Sequence, residues 1–510
     1  MTDHRRPRMS KLALGLVAAL AVAPAFAQST SSGVAGTVTS TSGQPVAGAE
    51  VTIVHVESGT VSRATTDANG RYTARGLRPG GPYTVTITSA QGTTTEEGVY
   101  LELNKVGTVN AALGNVTEIA AVQVTGSRLL DTFNPDNKGV STSISGRQLE
   151  TAAAGNRSLD DFARLDPRLS VDAGTGAISA AGVNNRFNEI QVDGISQGDP
   201  FGLNANGMPY TGSPISIDTI AAFDIAVTDY DVAFSTIGAQ INAVTKSGTN
   251  ELHGSAYYAF KDADSMIGKR DGKRYTGFDK DSTKGFTLGG PIVKDKLFFF
   301  VSAEKQEVTA IGGTDSDGLS TGAVTQQQVN DVIDAATRLG LFPGAYIGAM
   351  DLENERFLAK LDWNINDYHR ASLTYQRTEE VKPNPYNQSG NRVVLSSHWY
   401  NYDSLTENTS LQLFSDWSEN FSTEAKISYQ KFDQEAAAFT NQPHVEVYTG
   451  TATSGPAIFL GEDKYRHENA ISTKKLTASL FGNWYLGDHV VKGGFEYVEN
   501  DVYNMFGRDL

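Results

Sequence analysis

The stretch that decides the fold runs from Ile215 to Phe260 and reads ISIDTIAAFDIAVTDYDVAFSTIGAQINAVTKSGTNELHGSAYYAF. Its first half is mixed in character and leads into a short predicted strand, 241–245. The small and polar residues at 246–250 favour a turn after that strand. Beyond the turn, Ser255 to Phe260 is the first of many aromatic, alternating segments. The stretch is therefore a boundary between a soluble-looking domain and a long all-β region.

The boundary segment INAVTKSGTNELHGSAYY, residues 241–258, resembles the junction between plug and barrel in TonB-dependent outer-membrane receptors, especially their Oar-like branch. The family usually carries a glycine pair just before the Ile-Asn, whereas Ala239 and Gln240 stand there in this chain. The resemblance implies a mainly β protein with an α/β plug domain at 141–250. It also implies part of a transmembrane antiparallel β-barrel at 251–510.

The residues after the boundary support the barrel independently. Segments of about ten residues alternate between apolar and polar side chains, and aromatic residues crowd their ends, as in outer-membrane barrels. One example places Leu297, Phe299, Val301 and Ala303 on one face. A soluble sheet with one wet face would also alternate. The export signal and the boundary segment favour a barrel.

Long connections alternate with short turns, and we expect the long ones to be extracellular: 262–280, 309–354, 380–398 and 434–474. A short helix is predicted at 329–339. Four aromatic residues lie in or beside these loops, where they either stack on a ligand or sit at the membrane interface, the interpretation that we favour. They are Tyr386, Trp399, Tyr400 and Tyr402.

The barrel is predicted to be incomplete. The pattern predicts roughly nine or ten strands, whereas a plugged transporter barrel needs about 22. The chain ends at Arg508-Asp509-Leu510, without the terminal aromatic strand expected of the family. We expect these 510 residues to be the N-terminal part of a longer receptor.

The N-terminus has the pattern of a signal peptide, residues 1–27. A basic region is followed by a short apolar core, 12–22, and by the cleavage pattern Ala25-Phe26-Ala27. Cleavage between Ala27 and Gln28 is expected. The core is too short to span a membrane. The pattern predicts export, and with the barrel it places the protein in the outer membrane of a Gram-negative bacterium.

Residues 28–113 are predicted to form a small β-sandwich, because short alternating segments are separated by turn signals. Motifs from Gly43 to Val85 resemble the carboxypeptidase regulatory-like domain. Peptidase chemistry is not implied, since none of the eight histidines has Glu three residues later. The turn at Asp67 is interpreted as a hairpin rather than a calcium loop, because further oxygen ligands are missing.

Residues 114–140 are predicted to be a linker. In the resembling family this place holds the TonB box, an extended segment that pairs with an exposed sheet edge of the periplasmic partner. Glu118 to Thr125 is the candidate, and an ordinary first strand of the plug is the alternative. The residues expected to contact the partner are Glu118, Ile119, Val122, Val124 and Thr125.

Within the predicted plug, 146–165 suits one helix or two short helices, and Glu189 to Ile195 reads as a strand with an Asp-Gly turn. In the resembling family, plug arginines contact glutamates of the barrel wall. Arg186 and Glu304 are the candidate pair here, because a charge inside the lumen needs a partner. The alternative is that Arg186 is a solvated loop residue.

Composition narrows the function classes. The chain has 58 acidic and 42 basic residues and a net charge of −16, which argues against a nucleic-acid surface. It has no cysteine, so thiolate chemistry and disulfides are excluded. Residues 194–198 match G-x-S-x-G, but a loop follows where a nucleophile elbow needs a helix. The sequence predicts no catalytic residue, cofactor or metal site.

The leading hypothesis is an outer-membrane receptor that binds a scarce solute and imports it in a TonB-dependent manner. Its expected partners are a TonB-type periplasmic energy-coupling protein, outer-membrane lipid and an extracellular solute. Siderophore, oligosaccharide and peptide all stay open as solutes. The alternative is an adhesion or structural protein on the same scaffold. A secreted enzyme is disfavoured.

Overall fold

The computed structural model describes residues 30–114 and 139–507, except 153, 173–174, 202, 230, 234–235, 266–268, 271–272, 275–277, 312–316, 348, 451–453, 467 and 488. The predicted signal cleavage site, Ala27 and Gln28, and the predicted TonB box, 118–125, lie outside these residues. None of the helices in the described part of the chain has the length and apolar character needed to cross a membrane.

A small domain of two sheets comes first. Its strands are β1 (Ser32–Ser40), β2 (Glu50–His55), β3 (Thr60–Thr65), β4 (Arg71–Leu77), β5 (Gly80–Ser89), β6 (Gly92–Leu101), β7 (Val106–Thr108) and β8 (Ala111–Leu113). β1 pairs with β4, β7 and β8, and the other sheet has the order β3-β2-β5-β6. Alternate residues such as Val51 and Ile53 are buried between the sheets. We call this unit the sandwich.

The Asp67 turn is a hairpin connection, as the sequence predicts. Its Oδ1 atom accepts hydrogen bonds from the backbone N–H groups of Asn69 and Arg71, both at 2.8 Å. Gly70 has a φ of 73°, a conformation that glycine adopts without steric cost. The carboxylate is therefore used to shape the turn.

A second unit, which we call the inner domain, spans residues 139–250. Its elements are β9 (Gly139–Ser145), α1 (Gly146–Thr151), α2 (Leu159–Ala163), β10 (Leu169–Val171), β11 (Ile178–Ala180), β12 (Glu189–Val192), β13 (Ile195–Ser196), β14 (Ile220–Asp229) and β15 (Gln240–Thr245). Its main sheet has the order β13-β12-β15-β14-β9. Phe162 of α2 packs on Phe223 of β14, with ring centroids 5.6 Å apart. The two short helices match the sequence prediction.

The rest of the chain forms one large antiparallel sheet and a set of loops. Its elements are β16 (His253–Asp262), β17 (Lys269–Arg270), β18 (Lys273–Arg274), β19 (Lys280–Val293), β20 (Leu297–Ile311), α3 (Gln326–Arg338), β21 (Met350–Asn366), β22 (His369–Asn384), β23 (Arg392–Val394), β24 (Tyr400–Ser418), β25 (Phe421–Ala438), β26 (Val445–Tyr448), β27 (Ala457–Leu460), β28 (Ala470–Leu486) and β29 (His489–Met505). The sheet order is β16-β19-β20-β21-β22-β24-β25-β28-β29, nine strands among the described residues.

Most of these strands are longer than the sequence predicts. β24 has 19 residues and β25 has 18, against the predicted segments of about ten, the length that crosses the hydrocarbon core.

The two faces of the sheet differ as alternation predicts. Along β21, the side chains of Phe357, Leu361 and Trp363 are exposed, whereas those of Arg356 and Lys360 are buried. The exposed face is suited to lipid and the buried face is turned to the inner domain. Three large apolar side chains occupy inward positions, where the pattern otherwise places polar residues: Phe298, Phe300 and Leu358. Phe300 and Leu358 join the inner domain's core.

The long loops at one end of the sheet fold together, and we call them the loop module. It contains α3 and a three-stranded sheet of order β23-β27-β26. α3 begins with a capping box between Thr325 and Gln328 and covers the predicted helix. Trp399 and Tyr400 are buried in or beside this module, so they neither face a membrane interface nor stack on a solvent-borne ligand. Their position is set by the packing of the loops, which the alternation along strands does not predict.

The sandwich lies at the opposite end, against the short turns. Arg63 Nε donates to Asp367 Oδ2 at 2.8 Å, and Arg71 Nη1 donates to the Gly487 carbonyl at 3.1 Å. Arg370 Nη2 also donates to the Arg75 carbonyl at 2.7 Å. The sandwich and the loop module are thus on opposite ends of the sheet, with the inner domain between them.

Candidate functional site

The largest charged cluster between the inner domain and the sheet is centred on Glu304 of β20. Its Oε1 accepts from Arg356 Nη1 of β21 at 2.6 Å. Its Oε2 accepts from Tyr257 OH at 2.8 Å, from Ser216 Oγ at 2.9 Å and from Arg157 Nη2 at 3.2 Å. The Glu304 side chain is 0% exposed and that of Arg356 is 5% exposed. A buried carboxylate is thereby satisfied by both the sheet and the inner domain.

Arg157 is the inner-domain cation of this cluster. It pairs with Asp218 as well as with Glu304, and its guanidinium lies over the Tyr257 ring, 4.5 Å from the centroid. Burial by itself lowers the pKa of Arg157, but hydrogen bonds and charge attraction from Asp218 and Glu304 outweigh burial and raise that pKa. The positive charge is therefore permanent here.

The predicted partner of Glu304 is corrected by this geometry. Arg186 lies in a short turn, Asn185–Phe187, and is exposed to solvent. The inner-domain arginine that reaches Glu304 is Arg157. Residue 157 lies in the connection between α1 and α2, with a φ of 53°. A turn position in sequence carries no information on which wall strand it faces, so the pattern pointed to the wrong arginine.

A second cluster holds the turn at Asp193 and Gly194. Asp193 Oδ1 and Oδ2 accept from the backbone N–H and the hydroxyl of Thr245 at 2.8 and 2.6 Å. Lys360 Nζ of β21 lies 3.7 Å from Asp193 Oδ2 and donates to the Thr245 carbonyl at 3.2 Å. Lys426 Nζ of β25 donates to the Gly194 carbonyl at 2.9 Å. Two lysines of the sheet thus bind one tight turn of the inner domain.

A third cluster uses Glu380 of β22. Its carboxylate accepts from the Thr211 and Gly212 backbone N–H groups at 3.0 and 3.2 Å and from the Thr211 hydroxyl at 2.9 Å. A side chain at Gly212 would meet Arg356 Nη2 at 2.8 Å, so glycine allows the close approach. The carboxylate binds a loop through its backbone donors, a charge-assisted arrangement.

Contacts with the inner domain run across the whole sheet. They begin at Tyr257 on β16, whose hydroxyl lies 2.8 Å from Ser216 Oγ, and end at Lys492 on β29, whose Nζ lies 2.7 Å from Asp231 Oδ1. The sheet therefore curves around the inner domain. The described contacts between them include many hydrogen bonds and ion pairs, together with apolar contacts at Phe300, Leu358 and Phe481.

A cavity of about 790 Å³ lies where the sandwich, the inner domain and the sheet meet. Its lining includes Arg78 of the sandwich, Asp218 and Lys246 of the inner domain, and Lys360 and Asp362 of the sheet. Charges of both signs line the cavity, so it suits water and a polar solute better than an apolar one.

Asp224 is a buried acid of the inner domain. It lies on β14 with its side chain buried, and its Oδ1 atom has no hydrogen-bond partner within the described residues. Burial raises the pKa of this carboxyl to about 7. The group is thus poised to change its charge near neutral pH.

The sequence indicated Glu304 but missed Arg157, Arg356, Lys360 and Glu380. The last three share one detectable signal, since each is a charged residue at an inward position of an alternating strand. Such positions are costly unless the charge is paired inside the lumen. Arg157 has no comparable signal, because it lies in a loop.

Two family models match parts of the chain. Residues 33–114 match the carboxypeptidase regulatory-like domain, and residues 244–337 match the outer membrane beta barrel domain. The sandwich and the start of the large sheet are therefore recognised separately.

Among curated proteins, the chain is 31% identical over 381 residues to the TonB-dependent transporter Oar of Myxococcus xanthus. The match covers 69% of this chain and 34% of that protein, so the chain spans about a third of its relative's length.

Among solved structures, the siderophore receptor PirA of Acinetobacter baumannii superposes with a TM-score of 0.50 at 15% identity, covering 71% of this chain and 48% of PirA. The ferric enterobactin receptor of Pseudomonas aeruginosa gives a TM-score of 0.47 at 14% identity, with 72% and 50% covered. The PirA likeness concerns the fold. These relatives are named as a transporter and a siderophore receptor, not as enzymes.

Proposed function

This chain is an outer-membrane homologue of the TonB-dependent transporter Oar, and we propose that it forms the plug and part of the wall of a solute importer. In this proposal the inner domain is the plug and the large sheet is the wall. A scarce solute binds on the loop side, and a TonB-type protein on the sandwich side remodels the plug to admit it. The observation that carries the proposal is the polar, ion-paired contact between inner domain and sheet.

Such a contact suits a domain that must move. Buried ion pairs contribute little net stability relative to apolar packing, because desolvation offsets most of their attraction. Water that enters during movement can replace these hydrogen bonds, whereas it cannot replace apolar packing. The pairs around Glu304, Asp193 and Glu380 therefore support a plug that is held in one position and can still be displaced.

The connection to the periplasm supports the same mechanism. Residues 115–138 join the sandwich to β9, the first strand of the plug sheet. β9 is at the edge of that sheet, and in the described part of the chain it pairs with β14 alone. A pull on the proposed TonB box, 118–125, would reach the plug first through this edge strand. An edge strand with one neighbour is the easiest strand to detach.

The proposal is tested by cross-linking in cells. The chain has no cysteine, so single cysteines at Ile119, Val122 or Val124 give unambiguous disulfides. We expect them to cross-link to a single cysteine on the exposed edge strand of the TonB-type protein, since β-augmentation places the two strands side by side. A cysteine at the exposed Arg186, on the plug itself, is the matched control and should not cross-link.

A second variant separates coupling from assembly. Deletion of 118–125 should leave the protein in the outer membrane at its normal level but abolish solute uptake. Absence of cross-links together with an unchanged phenotype in the deletion would overturn the importer. The adhesion or structural alternative would then account for the protein.

A further inference from the structure

The loop module contains a buried cluster of histidine and carboxylate side chains that the proposed transport mechanism does not use. A ring nitrogen of His398, a ring nitrogen of His444 and a carboxylate oxygen of Asp463 all lie within 4.8 Å of one another. The side chains of His398 and Asp463 are 0 and 1% exposed, and that of His444 is 10% exposed. The three residues come from three different loop segments.

The hydrogen bonds of His398 assign its tautomer. Nδ1 lies 2.8 Å from the Gly461 carbonyl, which can only accept, so Nδ1 carries the proton. The lone pair is then on Nε2, which lies 3.5 Å from Asp463 Oδ2. Nε2 also accepts a long hydrogen bond from Asn387 Nδ2 at 3.4 Å, which a metal ion would displace. A backbone carbonyl behind one ring nitrogen and a lone pair on the other is the arrangement that metal-ligating histidines adopt.

His444 has a similar arrangement with a carboxylate behind it. Its Nε2 lies 2.9 Å from Glu446 Oε1, and Glu446 also accepts from Tyr448 OH at 2.6 Å and from Lys464 Nζ at 3.1 Å. The other ring nitrogen, Nδ1, is buried and has no hydrogen-bond partner within the described residues. A buried nitrogen lone pair without a partner is costly, and a metal ion would satisfy it.

The third donor is already oriented. Asp463 Oδ1 accepts from the Tyr465 backbone N–H at 2.9 Å, and Oδ2 accepts from Asn387 Nδ2 at 3.1 Å. The two imidazole rings lie with their centroids 5.0 Å apart. With metal–ligand bonds of about 2.0–2.1 Å, the ligands of a tetrahedral zinc ion are about 3.3 Å apart. The ligand atoms of His398 and Asp463 are close to that spacing, and rotation of the His444 side chain would bring its Nδ1 atom to a similar distance from both.

We propose that His398, His444 and Asp463 bind a divalent transition-metal ion of the zinc class. Two imidazole nitrogens and one carboxylate oxygen are a donor set that zinc takes in proteins, with a fourth position left for water or another ligand. The ion joins the segment before β24, the segment before β26 and the segment after β27. It therefore stabilises the conformation of the loop module. The proposal is independent of transport.

The experiment uses the full chain, purified in detergent without a histidine tag, and titrates it with Zn²⁺ by calorimetry. The absence of cysteine removes thiolate sites that would compete. We expect one ion per chain in the wild type. His444→Gln should weaken binding by at least about 10-fold, and Glu446→Gln, which changes only the orienting carboxylate, by about 10-fold or more. His489→Gln, at the exposed start of β29, is the matched control and should bind as the wild type does.

Cobalt gives a second readout that does not depend on the variants. Co²⁺ bound to two imidazoles and a carboxylate in four-coordinate geometry should give visible absorption bands that Zn²⁺ abolishes. A wild-type chain that takes up no Zn²⁺ beyond that bound by His444→Gln would overturn the proposal, as would a cobalt spectrum identical to that of the hexahydrated ion. Circular dichroism of each variant checks that the sheet is still folded.

Discussion

The pair between Arg157 and Glu304 allows a quantitative test of how the inner domain is held against the sheet. The two charged groups approach to 3.2 Å across the boundary between the two. At an effective dielectric constant of about 20, two unit charges at that distance attract by about 5 kcal/mol. Two features reduce this value. The Arg157 side chain is 19% exposed, and Asp218 still pairs with it when Glu304 is neutralised. We expect a coupling free energy of about 1–2 kcal/mol.

The perturbation is a double-mutant cycle with Arg157→Gln, Glu304→Gln and the double variant. Glu304→Gln alone should destabilise the plug by about 3–5 kcal/mol, because it leaves Arg356 buried without its carboxylate. The double-mutant cycle cancels this loss of stability and leaves the coupling free energy between Arg157 and Glu304. The assay is hydrogen exchange of the detergent-solubilised protein, read by mass spectrometry as the free energy of opening of peptides covering 213–220.

A coupling free energy below about 0.5 kcal/mol, the range found for independent sites, would refute the pair as a contact that holds the plug. Arg186→Gln combined with Glu304→Gln is the matched control, because Arg186 is an exposed plug arginine. Those two changes should be additive. If Arg186 proved coupled to Glu304 and Arg157 proved additive with it, Arg186 and not Arg157 would be the partner of Glu304.

Two further changes test the plug. Burial raises the Asp224 pKa from 3.8 to about 7, so the folded state binds the extra proton between these values. Its contribution to stability is present below the unfolded pKa and is lost as pH rises from about 4 to about 7, a loss of about 4 kcal/mol in all. Asp224→Asn should remove the part of this fall that lies between pH 5 and 8, about 2–3 kcal/mol of opening free energy, and an unchanged fall would assign it to another group. Gly248→Ala would place a methyl group 2.4 Å from the Phe299 carbonyl, so we expect about 1–3 kcal/mol of destabilisation by urea titration. Gly155→Ala, with open space around it, is the control, and equal effects of the two changes would contradict the packing argument.

Local patterns predicted much of this fold. Alternation along a strand has a period of two, so a single strand already tells which residues face lipid and which face inward. Alternation therefore predicted the faces of β21, and helical spacing predicted the helices near 146–165 and the helix in the loop module. The Asp193-Gly194 turn was also readable, because both residues adopt positive φ, as a tight hairpin requires.

Other features depended on contacts between segments far apart in the chain. Alternation predicts which charged residues of the strands face inward. It does not predict which residue of the inner domain each one contacts, because that depends on how the sheet curves around the inner domain. Arg157 therefore replaced Arg186 as the partner of Glu304. The sequence pattern indicates that Trp399 and Tyr400 are surface aromatics, but the folded loops bury both side chains.

The class of the protein could be predicted from the amino-acid sequence, because the boundary segment, the strand period and the signal pattern are all local. The ion pairs of the inner domain and the approach of His398, His444 and Asp463 to one another depend on the tertiary fold. Each of these residues is unremarkable in its own segment. They form a site only when three loops fold together, because the direction of a loop side chain is set by packing with other segments and not by a local repeat.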